Sequence, residues 1–188
     1  MLVLEGNQAI GKSTAAALLG GEWSLRRLPA LRDYDRAAHA LAGRWIVEVG
    51  ELDALRGSAV TAIKEFLSLA VDHYRPPYGR YVVERPRSCV YLGTTNESRY
   101  LHDTTGARRF WPVEVRAFDR TAFLAERDAL LAEARIAYRK GAPWWPGQDD
   151  QVHMLARPQE DRYQVDEIET AIAAWLDDRS ASTRPNRS

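Results

Sequence analysis

Along the first twenty residues the apolar pattern changes period once. Leu2-Val3-Leu4 is a short apolar strand running into a glycine-bearing loop, and Ser13 to Leu19 carries the alanines and leucines of a helix closed by Gly20-Gly21. A mixed stretch follows to Gly43. Trp45 to Val49 predicts a second strand, apolar on both faces apart from Glu48. From Leu52 to Asp72, Leu55, Ala59, Ile63, Phe66, Leu67 and Ala70 fall near one helical face. Pro-Pro-Tyr-Gly at 76–79 marks a turn, with Tyr81-Val82-Val83 as one arm of a hairpin. Cys89 to Gly93 predicts a third strand ending in Thr94-Thr95-Asn96, Phe110 to Val115 a fourth, and Thr121 to Arg139 an amphipathic helix. Pro143 to Gly147 reads as a connector, Val165 to Leu176 as a last helix, and 180–188 as a disordered polar tail. Strands separated by helices predict an α/β fold with a parallel sheet covered on both sides.

Composition narrows the class. At 188 residues the chain is long enough for one domain with its own core, placed at 1–140, followed by a connector and helix at 141–179 and the tail. A single cysteine, Cys89, excludes a disulfide framework, and no apolar run approaches the roughly 20 residues of a bilayer-spanning helix. A cytoplasmic protein without a membrane partner is expected. The four histidines show no metal-ligand spacing with Cys89 or with each other.

The chemistry is concentrated early. Gly6-Asn7-Gln8-Ala9-Ile10-Gly11-Lys12-Ser13, continued by Thr14, satisfies G-x-x-x-x-G-K-[ST] between a strand and a helix. In such a loop the backbone N–H groups wrap a phosphate and the helix N-terminus adds partial positive charge. Lys12 then reaches the β- and γ-phosphates of ATP, and the Ser13 hydroxyl ligates Mg²⁺. Only Lys12, Lys64 and Lys140 are lysines, every other base being arginine, so a lysine inside a motif is seldom accidental.

Phosphoryl transfer also needs an acid near the metal and the attacking water. Glu48 in the second strand, a second candidate Mg²⁺ ligand, and Glu51 three residues later are the candidates. Asn96 ends the third strand, at the loop's edge if the sheet is parallel, where ligands of open α/β sheets bind. From Arg75 to Arg109 seven arginines face three acids, with tyrosines interleaved, a mixture suited to single-stranded nucleic acid. Arg108-Arg109, anchored by Phe110-Trp111-Pro112, suit charge neutralisation on a transferring phosphate, in a neighbouring subunit if their own is out of reach.

Taken in order, these motifs resemble the virulence-associated protein E family of prophage and mobile-element proteins. The resemblance runs through Gly6–Thr14, Gly43–Leu52, Lys64–Ser68, Asp72–Arg80, Pro86-Arg87, Gly93–Asn96 and Thr105–Val113, covering about residues 2–115. The family is similar to superfamily 3 helicases and AAA+ ring ATPases. The resemblance implies a three-layer P-loop NTPase with a mostly parallel sheet and a β-hairpin insertion. It also implies ATP with Mg²⁺, a homo-oligomeric, hexameric ring, and single-stranded DNA as partner. By it, Lys12 and Ser13 form the Walker A pair, Glu48 and Glu51 fill the Walker B region, Asn96 is the sensor, and Arg108 or Arg109 is the finger. Residues 75–87 correspond to the strand-gripping hairpin, with Arg75, Tyr78, Arg80, Arg85 and Arg87 as contacts. Three departures stand out, the first being that related helicases carry two adjacent acids where this chain has Glu48-Val49. The family usually has glycine where Ala9 stands, a position alanine fits without strain only at negative φ, and family members usually extend upstream of the first strand.

The resulting expectation is a helicase-like P-loop ATPase acting on single-stranded DNA in phage or mobile-element replication. The alternatives are a small-molecule or nucleotide kinase with the same loop, or a truncated, non-hydrolysing module that binds nucleotide or DNA.

Overall fold

The computed structural model describes residues 1–50, 58–101, 109–143, 147, 161–163, 172 and 175. Five strands form one parallel sheet: β1 (Leu2–Glu5), β2 (Ser24–Leu25), β3 (Ile46–Val49), β6 (Val90–Thr95) and β7 (Trp111–Glu114), in the spatial order β2-β3-β6-β1-β7. Between β3 and β6 the chain makes an antiparallel hairpin, β4 (Val71–Tyr74) with β5 (Val83–Pro86). The helices are α1 (Lys12–Gly20), α2 (Tyr34–Ala40), α3 (Ser58–Ser68) and α4 (Arg120–Arg139). The expected mostly parallel sheet flanked by helices, with a hairpin insertion, is the observed architecture.

Alternation along the strands sorts the two faces. Ile46 and Leu92 point to one side, where they close on Ala16 and Leu19 of α1. Val3, Val47 and Val49 point to the other, where they meet Ala37 of α2, Leu41 just after it, and Ile63 and Phe66 of α3. Glu48 shares the parity of Ile46, so this acid lies on the face of α1, whose first turn carries Lys12. The C-terminal end of α1 is closed from outside: Arg127 of α4 donates from Nε and Nη2 to Leu19 O at 3.2 and 3.0 Å. A cation at that end also suits the helix dipole.

Several boundaries differ from the sequence pattern. The helix expected over 52–72 is observed at 58–68, residues 51–57 lying outside the described set. It stops at Ser68 because the next residues pair: Val71 to Tyr74 lie opposite Pro86 to Val83. Pro76 and Pro77 follow and disfavour any helical continuation. The second hairpin arm is Val83–Pro86 rather than Tyr81–Val83. The mixed stretch before Gly43 contains β2 and α2, two and seven residues long, too short to show a period. The Asp33 side chain accepts from Arg36 N at 3.1 Å and starts α2. Of the proposed C-terminal connector, helix and tail, nearly all lies outside the described residues.

Arg87 requires a correction. Assigned on sequence to strand contact, it is instead tied into the hairpin base, with its side chain 5% exposed and that of Asp72 3%. Nε donates to Asp72 Oδ2 at 2.8 Å and Nη2 to Oδ1 at 2.6 Å, while Nη1 donates to Phe66 O. Tyr34 OH donates to the same carboxylate at 3.0 Å, and the guanidinium lies 4.2 Å from the Phe66 ring centre. A guanidinium buried with its hydrogen bonds committed inward cannot track a backbone phosphate.

Removing one partner strands the other charge in the interior. Asp72→Ala is expected to lower unfolding free energy by about 3 kcal/mol in urea denaturation. Glu114→Ala, which cuts an exposed pair with Arg116, is expected to leave the midpoint nearly unchanged.

Candidate functional site

The loop between β1 and α1 is shaped by residues with little or no side chain. Gly6 has φ +148°, and a Cβ there would lie 2.4 Å from Val115 O. Gly11 has φ +104°, and a Cβ there would lie 2.7 Å from the Phe118 ring. Both positions therefore exclude any larger residue. Gly11 is also the N-cap of α1, with no side-chain cap and no acid in the first turn. The first N–H groups of the helix thus have no side-chain acceptor, an arrangement suited to an external anion.

Lys12 is buried, and its ammonium sits inside the loop. Nζ donates to Gly6 O at 2.6 Å, to Asn7 O at 2.8 Å and to Asn96 Oδ1 at 3.0 Å. Asn96 comes within reach because β1 and β6 are adjacent and in register, Glu5 opposite Thr95, so both chains leave the sheet together. On the far side of β6, Glu48 is buried and accepts from Thr94 Oγ1 at 3.2 Å. These groups line one cavity of about 1190 Å³, bounded by Gln8–Thr14, Arg26–Arg32, Glu48–Gly50, Ala62-Ile63 and Thr94–Asn96. Ser13 and Thr14 stand exposed at its floor. The donor set fits a phosphate with a hard cation: backbone amides and an ammonium for the anion, a hydroxyl and a carboxylate for the metal.

The other sequence candidates lie elsewhere. Glu51 and Arg108 fall outside the described residues. Arg109 precedes β7, so with parallel strands it stands at the sheet edge opposite the loop, roughly 20 Å away at 3.3 Å per residue. There its Nε donates to Ser68 Oγ at 2.9 Å. Arg75, Tyr78, Arg80 and Arg85 are exposed on the hairpin. Its base, next to the start of β6, also lies at that opposite edge.

One charged cluster beside the loop has no counterpart in the sequence reading. Glu5, buried directly before Gly6, accepts from Tyr100 OH at 2.8 Å and from Arg162 Nε at 2.7 Å and Nη2 at 2.8 Å. Arg162 O accepts from Tyr100 N at 3.1 Å and Leu101 N at 3.0 Å. Burial and the Glu5 carboxylate raise the Tyr100 phenol, and the same carboxylate raises Arg162. A lone arginine 157 residues from its acid carries no periodic signal.

The sheet, the glycine-rich loop and the cavity above the strand ends define an α/β protein of the kind that holds ligands at one sheet edge. The family model of the virulence-associated protein E-like domain matches residues 1–165, and the chain belongs to that family. No curated protein matches it. Among solved structures it is similar to the apo C-terminal region of NrS-1 (305–718), with TM-score 0.53 and 15% identity over 92% of this chain and 42% of that one. A second apo form of the same region gives TM-score 0.53 and 16% identity over 92% and 41%. This chain thus spans about two-fifths of those proteins, and at such identity the likeness is one of fold.

Ala9 has φ +65°, so the negative φ at which alanine would sit there without strain is not adopted. Left-handed backbone costs a non-glycine residue about 1–2 kcal/mol. Ala9→Gly is therefore expected to raise stability by about 1 kcal/mol after the extra chain entropy of glycine is counted. Urea midpoints of the two proteins check this.

Proposed function

We propose that this chain is the core of a helicase-like P-loop ATPase of the AAA+ and superfamily 3 type. In this reading it binds ATP with Mg²⁺ and acts on single-stranded DNA in phage or mobile-element replication. The observation that carries the reading is the buried Lys12 ammonium at an uncapped helix start, in one cavity with Asn96 and Glu48. Strand order supports it, because β6 lies between the strand of the loop and the strand of the acid. Asn96 therefore stands between the phosphate cradle and Glu48, where an attacking water belongs.

Without a ligand Lys12 is held by loop carbonyls; with ATP it exchanges them for β- and γ-phosphate oxygens while the Gly6–Ser13 amides wrap the chain. Glu48 accepts the proton of a water whose oxygen bonds to the γ-phosphorus as the bond to the β-phosphate oxygen breaks, releasing ADP and phosphate. Asn96 orients that water. Ser13 and Glu48 would hold Mg²⁺, which would supply charge neutralisation on the phosphates. Nothing in this scheme needs a covalent intermediate; positioning and charge carry it.

The position of Arg109 at the opposite edge supports its action, or that of Arg108, on the nucleotide of a neighbouring subunit in a ring, read as a hexamer. The exposed Arg75, Tyr78, Arg80 and Arg85 suit phosphate contact and base stacking on the strand. The family membership and the NrS-1 fold likeness are consistent with a replication role.

Purified protein is expected to hydrolyse ATP in a Mg²⁺-dependent manner, faster with single-stranded DNA, and Lys12→Ala to lose about a hundredfold or more of that rate. A folded protein with no Mg²⁺-dependent affinity for any nucleoside triphosphate overturns the reading. Mixing Lys12→Ala chains with Arg108→Ala/Arg109→Ala chains is expected to restore part of the activity. If the mixture stays silent, the arginines do not act across subunits.

A further inference from the structure

The wall of the cavity facing the glycine-rich loop is the segment joining β2 to α2, Arg26-Arg27-Leu28-Pro29-Ala30-Leu31-Arg32. Its course is set by its apolar residues. Leu28 and Leu31 both pack against the two core clusters on the α2 and α3 side of the sheet. Leu28 N donates to Glu48 O at 3.3 Å, and Asp33 N to Ala30 O at 3.1 Å. With the backbone pinned at 28 and 31, Arg26, Arg27 and Arg32 are left exposed along the cavity.

Three features separate these arginines from a solvated surface. Among the described residues none of them has an ion-pair or hydrogen-bond partner. The described cavity wall contains one acid, Glu48, against these three arginines and Lys12. The segment leaves β2 at the same sheet edge as the loop, three strand spacings from β1, or about 14 Å. A polyanion lying across the cavity would therefore have basic side chains on the walls at both of its ends. Unpaired guanidiniums gathered in a concave site repel one another and raise the local potential for an anion. Their planar fork matches phosphate oxygens.

We propose that Arg26 and Arg27, assisted by Arg32, form a subsite within the same chain for the terminal phosphoryl group of a nucleoside triphosphate, making the cavity select triphosphate over diphosphate. This rests on the reading of the cavity as a triphosphate site. The loop amides hold the phosphates common to both nucleotides, and Lys12 spans the β-phosphate of both and the γ-phosphate of the triphosphate. The arginine wall adds contacts only to the group that the diphosphate lacks.

Equilibrium titration of the full chain with Mg²⁺ and either a nonhydrolysable ATP analogue or ADP tests the assignment. Unaltered protein is expected to bind the analogue more tightly than ADP. In Arg26→Gln/Arg27→Gln the analogue is expected to weaken at least about tenfold, as for loss of a charge-assisted bond, with ADP within about twofold. Arg26→Lys/Arg27→Lys should recover part of the difference, and the exposed positions should leave thermal unfolding unchanged. Lys12→Ala should weaken both nucleotides, which separates the two halves of the site. Equal weakening of both nucleotides in the Gln variant, or no change in either, overturns the subsite while leaving the loop assignment standing. Loss of single-stranded DNA binding with the nucleotide preference intact also overturns it. If unaltered protein binds neither nucleotide, the triphosphate reading itself fails, and the subsite with it.

Discussion

A buried ammonium must be surrounded by oxygen, and in this protein that requirement organises the loop. Taking Lys12 out of water costs several kcal/mol unless acceptors replace the lost hydration. Gly6 O, Asn7 O and Asn96 Oδ1 replace it. For Gly6 O and Asn7 O to turn inward, the backbone must leave β1 at a φ that only glycine accepts comfortably. For Asn96 to arrive, β6 must lie beside β1 in that one register. Sheet order, loop shape and lysine position are therefore conditions on one another, and they leave the amides of α1 turned toward open space.

A second buried cation plays the opposite part. Arg87 is paired with Asp72, held by Phe66 O and covered by the Phe66 ring, so its charge is consumed inside the molecule. It anchors the hairpin to α3, while Arg75, Tyr78, Arg80 and Arg85 stay outside. The fold thus commits one arginine to architecture and leaves the others of the hairpin exposed. It also separates the edges: the cavity lies at the C-terminal ends of the strands, the hairpin base and Arg109 at the other. Among the described residues the two do not meet.

Glu5 adds a third case. Its carboxylate, one residue before the loop, is neutralised by Arg162 from far along the chain and capped by Tyr100. The C-terminal part of the matched family region is thereby tied to the strand that launches the loop.

Much of this was readable from residue order. The strand-loop-helix around Lys12, the strand bearing Glu48, the strand ending at Asn96 and the long α4 each show local periodicity or a local motif, and local patterns survive without knowledge of partners. The Gly6 and Gly11 requirement was equally visible, since a backbone constraint is written at the residue that bears it. Ala9 broke the pattern because a left-handed φ of +65° falls on a residue that carries a Cβ. The end of α3, the pairing of Val71–Tyr74 and the burial of Arg87 were decided only by tertiary structure. Each depends on what stands across from it, and an arginine bound for Asp72 looks the same in sequence as one bound for a phosphate. Likewise Arg26, Arg27 and Arg32 became a cavity wall only when Leu28 and Leu31 found the core. Order along the chain specifies the groups, but long-range pairing specifies which charges are spent inside and which remain for a ligand.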